Sequence, residues 1–180
     1  MDKVQRGYFF QNDITRAYFE DNGYGYTAAT YVEDTKQHFD YYYRRDGEDD
    51  VMTIDIKAPK KGKMSDTAFT TNFLFEYTGT SGYPGWVRGY ADYIGQYFFS
   101  PKSYTWNMIR FDRDELQKFV ETIPGYDKPE RYNGLPPTNK WLTRNGNDSF
   151  IWIPALVVFD NLDYLRVDVT QYVLNRHLPS

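Results

Sequence analysis

The sequence predicts a single domain of mixed α and β structure, and three observations carry that expectation. VMTIDIKA, over 51–58, alternates apolar and polar residues with the two-residue period of a strand, and aromatic segments of strand character precede and follow it at hairpin-length spacing. Segments with helical periodicity and capping residues lie before and after these strands, notably RDELQKFVETI behind Asp112. The chain has 180 residues, the length of one domain, 1–180, able to bury a core without disulfides.

The elements follow in order. Residues 11–21 predict a helix with Asp13 as N-cap and Ile14, Ala17 and Tyr18 on one face, ended by NGYGY at 22–26. Thr27–Gln37 reads as a second short helix capped by Thr27. FDYYYRR (39–45), VMTIDIKA (51–58) and Phe69–Tyr77 then form a three-strand antiparallel meander, with the polar turn DGEDD and the basic loop PKKGKMSD between them. GTSGYPGW is a glycine-rich loop. Ala91–Phe99 and Tyr104–Phe111 are two further strands, and the helix capped by Asp112 stops at Pro124 and Gly125. Residues 125–149 are loop-rich. Phe150–Phe159 is a late strand, and Asp160 or Asn161 caps a final helix, LDYLRVDVTQYVLNR. There is no internal repeat. Helices, strands, helix, strand and helix in that order make the class α+β.

Composition narrows the chemistry. With no cysteine, thiolate metal sites, disulfides and cysteine nucleophiles are excluded. Only His38 and His177 are present, which argues against a multi-histidine metal site, so a metal site here is expected to be oxygen-based and to suit magnesium, manganese or calcium. The start of the chain has no apolar run of signal-peptide length, and no stretch approaches the ~20 apolar residues of a membrane span. A cytoplasmic protein away from membranes is the expectation. The net charge of −4 argues against bulk electrostatic capture of nucleic acid, although acids gathered in a metal site count toward it. Eighteen Tyr and 13 Phe suit half-buried strands, and exposed tyrosines can also stack on bases or sugars.

The chemistry-bearing residues converge on the second predicted strand. Side chains alternate along it, so Asp55 and Lys57 point to one face, ~7 Å apart, while Met52, Ile54 and Ile56 form an apolar stripe on the other. Asp40 lies on the preceding strand, and a hairpin brings it beside Asp55. Two carboxylates and the backbone carbonyl of Ile56 offer a divalent cation its oxygen ligands. The cation would bind phosphate and acidify a water, with Lys57 stabilising the developing charge. An ordinary strand with one solvent face also carries Asp, Thr and Lys in this alternation.

An Asp at the start of one strand and Asp-x-Lys at the end of the next resembles the PD-(D/E)XK nuclease superfamily. Asp40 matches its first acid, with Phe39 where the superfamily has proline, and Asp55 and Lys57 match the acid–lysine pair. EDTKQHFD and FLFEYTGTSGYPGWVRGYADYIGQYF are also similar to segments of small phage and bacterial members, so the resemblance covers about 27–99, with 100–180 completing the fold. It implies a restriction-endonuclease-like mixed sheet with an antiparallel meander flanked by helices. It also implies Mg2+- or Mn2+-dependent hydrolysis of DNA phosphodiesters by an intracellular enzyme, phage-encoded and acting in a host cytoplasm. A homodimer would supply two sites for two strands.

Superfamily members place a further acid on the first helix. Glu20, Glu33 and Asp34 qualify, and Glu33 is preferred for its place on the better-matching segment. Glu76 would bind a second metal or orient Lys57, or be a paired sheet carboxylate. Lys60, Lys61, Lys63 and Arg88 are candidate nucleic-acid contacts, against the alternative of a solvated basic loop. Two rival readings remain: a catalytically inactive nuclease fold that binds protein or nucleic acid, and a carbohydrate- or protein-binding module that uses its tyrosines.

Overall fold

The computed structural model describes residues 3–59, 72–79, 83–100, 102–123, 126, 142–145 and 148–176. The strands are β1 (Tyr24–Ala28), β2 (Tyr41–Arg45), β3 (Met52–Lys57), β4 (Asn72–Thr78), β5 (Tyr93–Ser100), β6 (Thr105–Asp112), β7 (Leu142–Asn145), β8 (Asp148–Pro154) and β9 (Leu165–Asp168). The helices are α1 (Lys3–Tyr8), α2 (Thr15–Asp21), α3 (Tyr31–Gln37), α4 (Arg113–Glu121), α5 (Ala155–Asn161) and α6 (Thr170–Asn175), with a π-helical turn, Phe9–Ile14, joining α1 to α2. The class is mixed α and β, as the sequence predicts.

A six-stranded sheet runs β1-β2-β3-β5-β6-β9, and a three-stranded sheet runs β4-β8-β7. The large sheet is antiparallel except between β3 and β5, where Asp55 pairs with Ile94 and Lys57 with Gln96 in parallel register. Alternation divides its residues cleanly. Tyr41, Tyr43, Ile54, Ile56, Tyr97 and Met108 face the N-terminal helical segment and α6, where Phe9, Phe10, Ile14, Phe19 and Val173 close one core. Ile94, Phe98, Ile109 and Phe111 face the small sheet and α4, burying Phe73, Phe75, Ile151, Ile153, Leu116 and Val120 in a second. Full burial of one such aromatic or aliphatic side chain contributes about 2 kcal/mol. Both faces of the β3/β5 pair are therefore covered, as parallel pairing requires.

Several expectations are corrected. An antiparallel meander exists, but it is β1-β2-β3. The segment expected as the third strand, 69–77, supplies β4 of the other sheet, because Phe73, Phe75 and Tyr77 need an apolar layer that β3's polar face does not offer. Asp13 caps nothing: it lies inside the π turn, and the helical segment begins ten residues earlier, held by buried Phe9 and Phe10. Thr27 is a β1 residue paired with Tyr42, and the cap of α3 is Thr30. The late strand stops at Pro154, after which 155–159 turn helical. Asn161 ends α5 instead of starting a helix, and the expected final helix divides into β9, paired with β6, and α6. β7 falls inside the stretch expected to be loop.

Candidate active site

The C-terminal end of β3 is where the fold gathers its buried charge. β2 and β3 pair through Tyr41–Ile54, and the Asp40 N–H continues the ladder to the Ile54 carbonyl at 2.9 Å. One residue beyond the last pair, the Asp40 carboxylate replaces the missing strand: its Oδ2 accepts the Ile56 N–H at 2.5 Å. In an extended strand the N–H and C=O of one residue point to the same edge, so the Ile56 carbonyl lies on Asp40's side of β3. The other Asp40 oxygen accepts from Gln11 Nε2 of the π turn. That turn is itself anchored on β2, where the Tyr41 hydroxyl donates to the Gln11 carbonyl at 2.9 Å.

Asp55 and Lys57 share the face turned toward the small sheet. Asp55 is 1 % exposed, so the solvent-facing strand is not what these residues build. Lys57 Nζ meets Asp55 Oδ1 at 2.7 Å and lies 5.4 Å from the ring centre of Trp86. Trp86 is fixed by Gly85: a β-carbon there would sit 2.2 Å from the Glu76 carbonyl oxygen, so only glycine lets the turn lie against β4. The second Asp55 oxygen, Oδ2, is buried without a hydrogen-bond partner, as is Gln96 Oε1 on the neighbouring strand. A buried, unsatisfied oxygen costs about 1–3 kcal/mol, so these two atoms are exceptions that a fold retains for a reason.

The electrostatics follow from this crowding. Burial first, and then the Asp55 charge, push the Asp40 carboxyl well above its usual range, against the opposing pull of Lys57 and the Ile56 N–H. Burial works against the Lys57 ammonium, but the charges of Asp55 and Asp40, with a smaller push from Glu76, outweigh it and hold its pKa up. Asp34 is raised by partial burial and by Asp55, with Lys57 and His38 opposing, which places Asp34 within the field of the site.

The structure thus brings Asp40, Asp55, the Ile56 backbone and Lys57 together, with Glu76 near enough for Lys57 to feel its charge. It does not bring Glu33 there. Glu33 Oε2 accepts the Thr30 N–H and hydroxyl, each at 2.7 Å, completing a capping box, and Oε1 accepts the Tyr42 hydroxyl at 2.6 Å. Glu20 accepts from Tyr26 at 2.7 Å, outside the cluster. The acid of this segment that feels the charges of Asp55 and Lys57 is the exposed Asp34. Arg88 is exposed, its guanidinium 5.1 Å from the ring centre of Tyr77, and Lys60, Lys61 and Lys63 lie outside the described residues.

Sequence reasoning missed Gln11 and Gln96. Nothing in the sequence marks a π turn, so Gln11 had no signal. Gln96 had one: it is the single polar side chain in the β5 alternation Ile94, Gln96, Phe98.

The donor set fits a hard divalent cation. Two carboxylates and a main-chain carbonyl are oxygen ligands, and an orphaned buried carboxylate oxygen is the atom a cation would satisfy. Among the described residues no group of three His, Cys, Asp or Glu side chains is placed to hold a metal, so Asp40 and Asp55 would be its acidic ligands. No described helix is long and apolar enough to cross a membrane. No protein-family model, curated protein or solved structure matches the chain.

Proposed function

We propose that the protein is a metal-dependent deoxyribonuclease of the PD-(D/E)XK kind, hydrolysing phosphodiester bonds at the end of β3. One observation carries the reading: a fully buried Asp55 that holds Lys57 through one oxygen and leaves the other unpartnered, beside the buried Asp40. Asp40, Asp55 and the Ile56 carbonyl are the groups that would hold Mg2+ or Mn2+. Such a cation, when bound, supplies a phosphate-binding charge and a water of lowered pKa. The chain's own part is positional and electrostatic. Asp55 Oδ1 and the Trp86 ring fix the Lys57 ammonium, so its charge is preorganised to stabilise negative charge developing on a phosphate oxygen. Gln11 and the Ile56 N–H hold the Asp40 carboxylate in one orientation. The Asp55 side chain is shielded from bulk water, which strengthens its hold on the half-buried Lys57. The reading extends to action in the cytoplasm of a cell, including a phage's host, and to a pair of copies cutting two strands.

The test is cleavage of plasmid, linear and four-way-junction DNA with Mn2+ or Mg2+. Wild type is expected to cut, while Asp55→Ala and Lys57→Ala, each confirmed folded by circular dichroism, lose cutting by at least about a hundredfold. Full activity in folded Lys57→Ala would sink the mechanism. The net charge of −4 and the exposed Tyr31, Tyr83 and Tyr90 favour a second reading, a binding module on the same fold. A folded, metal-loaded wild type that cuts none of these DNAs selects it.

A further inference from the structure

We infer that Gln96 is a ligand of the cation site, supplying through its carboxamide oxygen a neutral third side-chain ligand beside Asp40 and Asp55. The inference rests on the metal-site reading above and deepens it. Gln96 is 8 % exposed, in the middle of β5, and pairs with Lys57 in the parallel register. Paired residues of neighbouring strands share a face, so Gln96 stands on the same side of the sheet as Lys57 and Asp55, diagonal to the latter. Its other cross-strand neighbour is Ile109, fully buried, and Ile94 and Phe98 flank it on its own strand. A long amide buried between Ile94 and Phe98, with its oxygen unpartnered, is costly unless that oxygen has a use.

Two buried side-chain oxygens without partners occur among the described residues, Asp55 Oδ2 and Gln96 Oε1. They belong to adjacent strands and to one face. The two residues are diagonal neighbours on β3 and β5, and an oxygen-seeking cation between them would give both orphans one partner. An amide oxygen is a normal ligand of hard divalent ions. It is also the ligand the cation-free site can best accommodate. Asp40 and Asp55 already bring two negative charges into a buried pocket against one lysine, and a third carboxylate would add repulsion, whereas an amide adds a dipole alone.

The test is Mn2+ binding, read by electron paramagnetic resonance of the free ion, on wild type, Gln96→Leu and Gln96→Glu, with DNA cleavage measured in parallel. Leucine keeps the bulk and removes the oxygen. Gln96→Leu is expected to bind Mn2+ at least about tenfold more weakly, with the thermal midpoint of the cation-free protein equal to or above that of wild type. A merely structural glutamine predicts the reverse pattern, a lowered midpoint and unchanged Mn2+ affinity. Gln96→Glu keeps a ligating oxygen and is expected to bind Mn2+ as tightly as wild type or tighter. This variant decides the matter if the leucine protein fails to fold. Mn2+ affinity of folded Gln96→Leu within twofold of wild type, weaker binding by Gln96→Glu, or a wild type that binds no Mn2+ would each overturn the inference. A wild type that binds Mn2+ in a Gln96-dependent way and cuts no DNA overturns the nuclease reading alone. Cutting that is indifferent to Gln96→Leu, with unchanged Mn2+ affinity, overturns this inference alone.

Discussion

The two ends of β3 carry similar residues and have opposite character. At the N-terminal end, Asp50, Asp92, Asp112 and Asp114 line an open cleft of about 330 Å3 together with Arg113. Three of these acids have local tasks. Asp92 Oδ2 accepts the Thr53 N–H and hydroxyl at 2.7 and 2.8 Å, and the Asp92 N–H donates back to the Thr53 hydroxyl. Asp112 caps α4 through the Glu115 N–H, and Asp114 meets Arg113 at 2.5 Å. All four acids are exposed. At the C-terminal end, Asp40 and Asp55 are buried, share one lysine, and leave an oxygen unsatisfied. Acidic composition therefore says little. A carboxylate that is solvated and satisfied belongs to the scaffold, whereas one that is desolvated and under-satisfied carries a cost that a ligand can relieve.

The sharpest way to break this comparison is to neutralise one partner of each ion pair. Lys57→Met leaves Asp55 buried without its counter-charge, and urea unfolding at neutral pH without added metal is expected to show a loss of about 3 kcal/mol. Asp114→Asn, which disrupts the exposed Arg113 pair, is expected to change stability by less than about 0.5 kcal/mol. Comparable losses at the two ends would show that burial does not distinguish them.

A smaller effect tests whether the N-terminal end is titratable through its core instead of through its acids. Tyr43 pairs with Met52 and is buried, and burial pushes its phenol from 10.0 up to about 12, with Arg110 opposing. The raised value means that the folded state keeps a proton the unfolded state gives up. Stability is thus fully present below pH ~10 and is lost as pH rises toward about 12, by on the order of 2 kcal/mol. Tyr77, also pushed to about 12, and the buried Tyr97 act with the same sign. Tyr43→Phe is expected to flatten part of the alkaline decline seen by urea titration between pH 9 and 12. An unchanged slope would mean that the phenol is not held neutral by its surroundings.

The strands of the site were legible because alternation is a local property. Ile54 and Ile56 against Asp55 and Lys57 fixes which side chains share a face, whatever lies beside the strand. Partnership is not local. Nothing in FLFEY tells that it joins β8 across a long chain separation instead of β3, because its apolar residues suit any covered sheet. The segment LRVDV was misread for a related reason. Its leucine and valines fit a helical stripe, but Val167 and Val169 are β-branched, and an open edge of β6 was there to pair with them. Asp40, Asp55 and Lys57 stood out as charges at strand ends. Gln96 did not, since a neutral amide acquires meaning only when its neighbours are known to be apolar and its oxygen alone.

The smallest expected effect concerns two acids one residue apart on α3. The motif Thr30-x-x-Glu33 is the sequence signature of a capping box; it assigns Glu33 to the helix end and leaves Asp34 as the acid that feels the charges of Asp55 and Lys57. Glutamine also closes a capping box, so Glu33→Gln should leave the thermal midpoint and the cleavage rate where they are. Thr30→Ala removes the cap itself and should cost about 1 kcal/mol without slowing cleavage by the folded protein. Asp34→Asn alters the field at Lys57 and is the one substitution of the three expected to change the cleavage rate. A drop in cleavage by Glu33→Gln at unchanged thermal midpoint would reverse the assignment, because a carboxylate used only for capping has no reason to report on chemistry at the far side of its own helix.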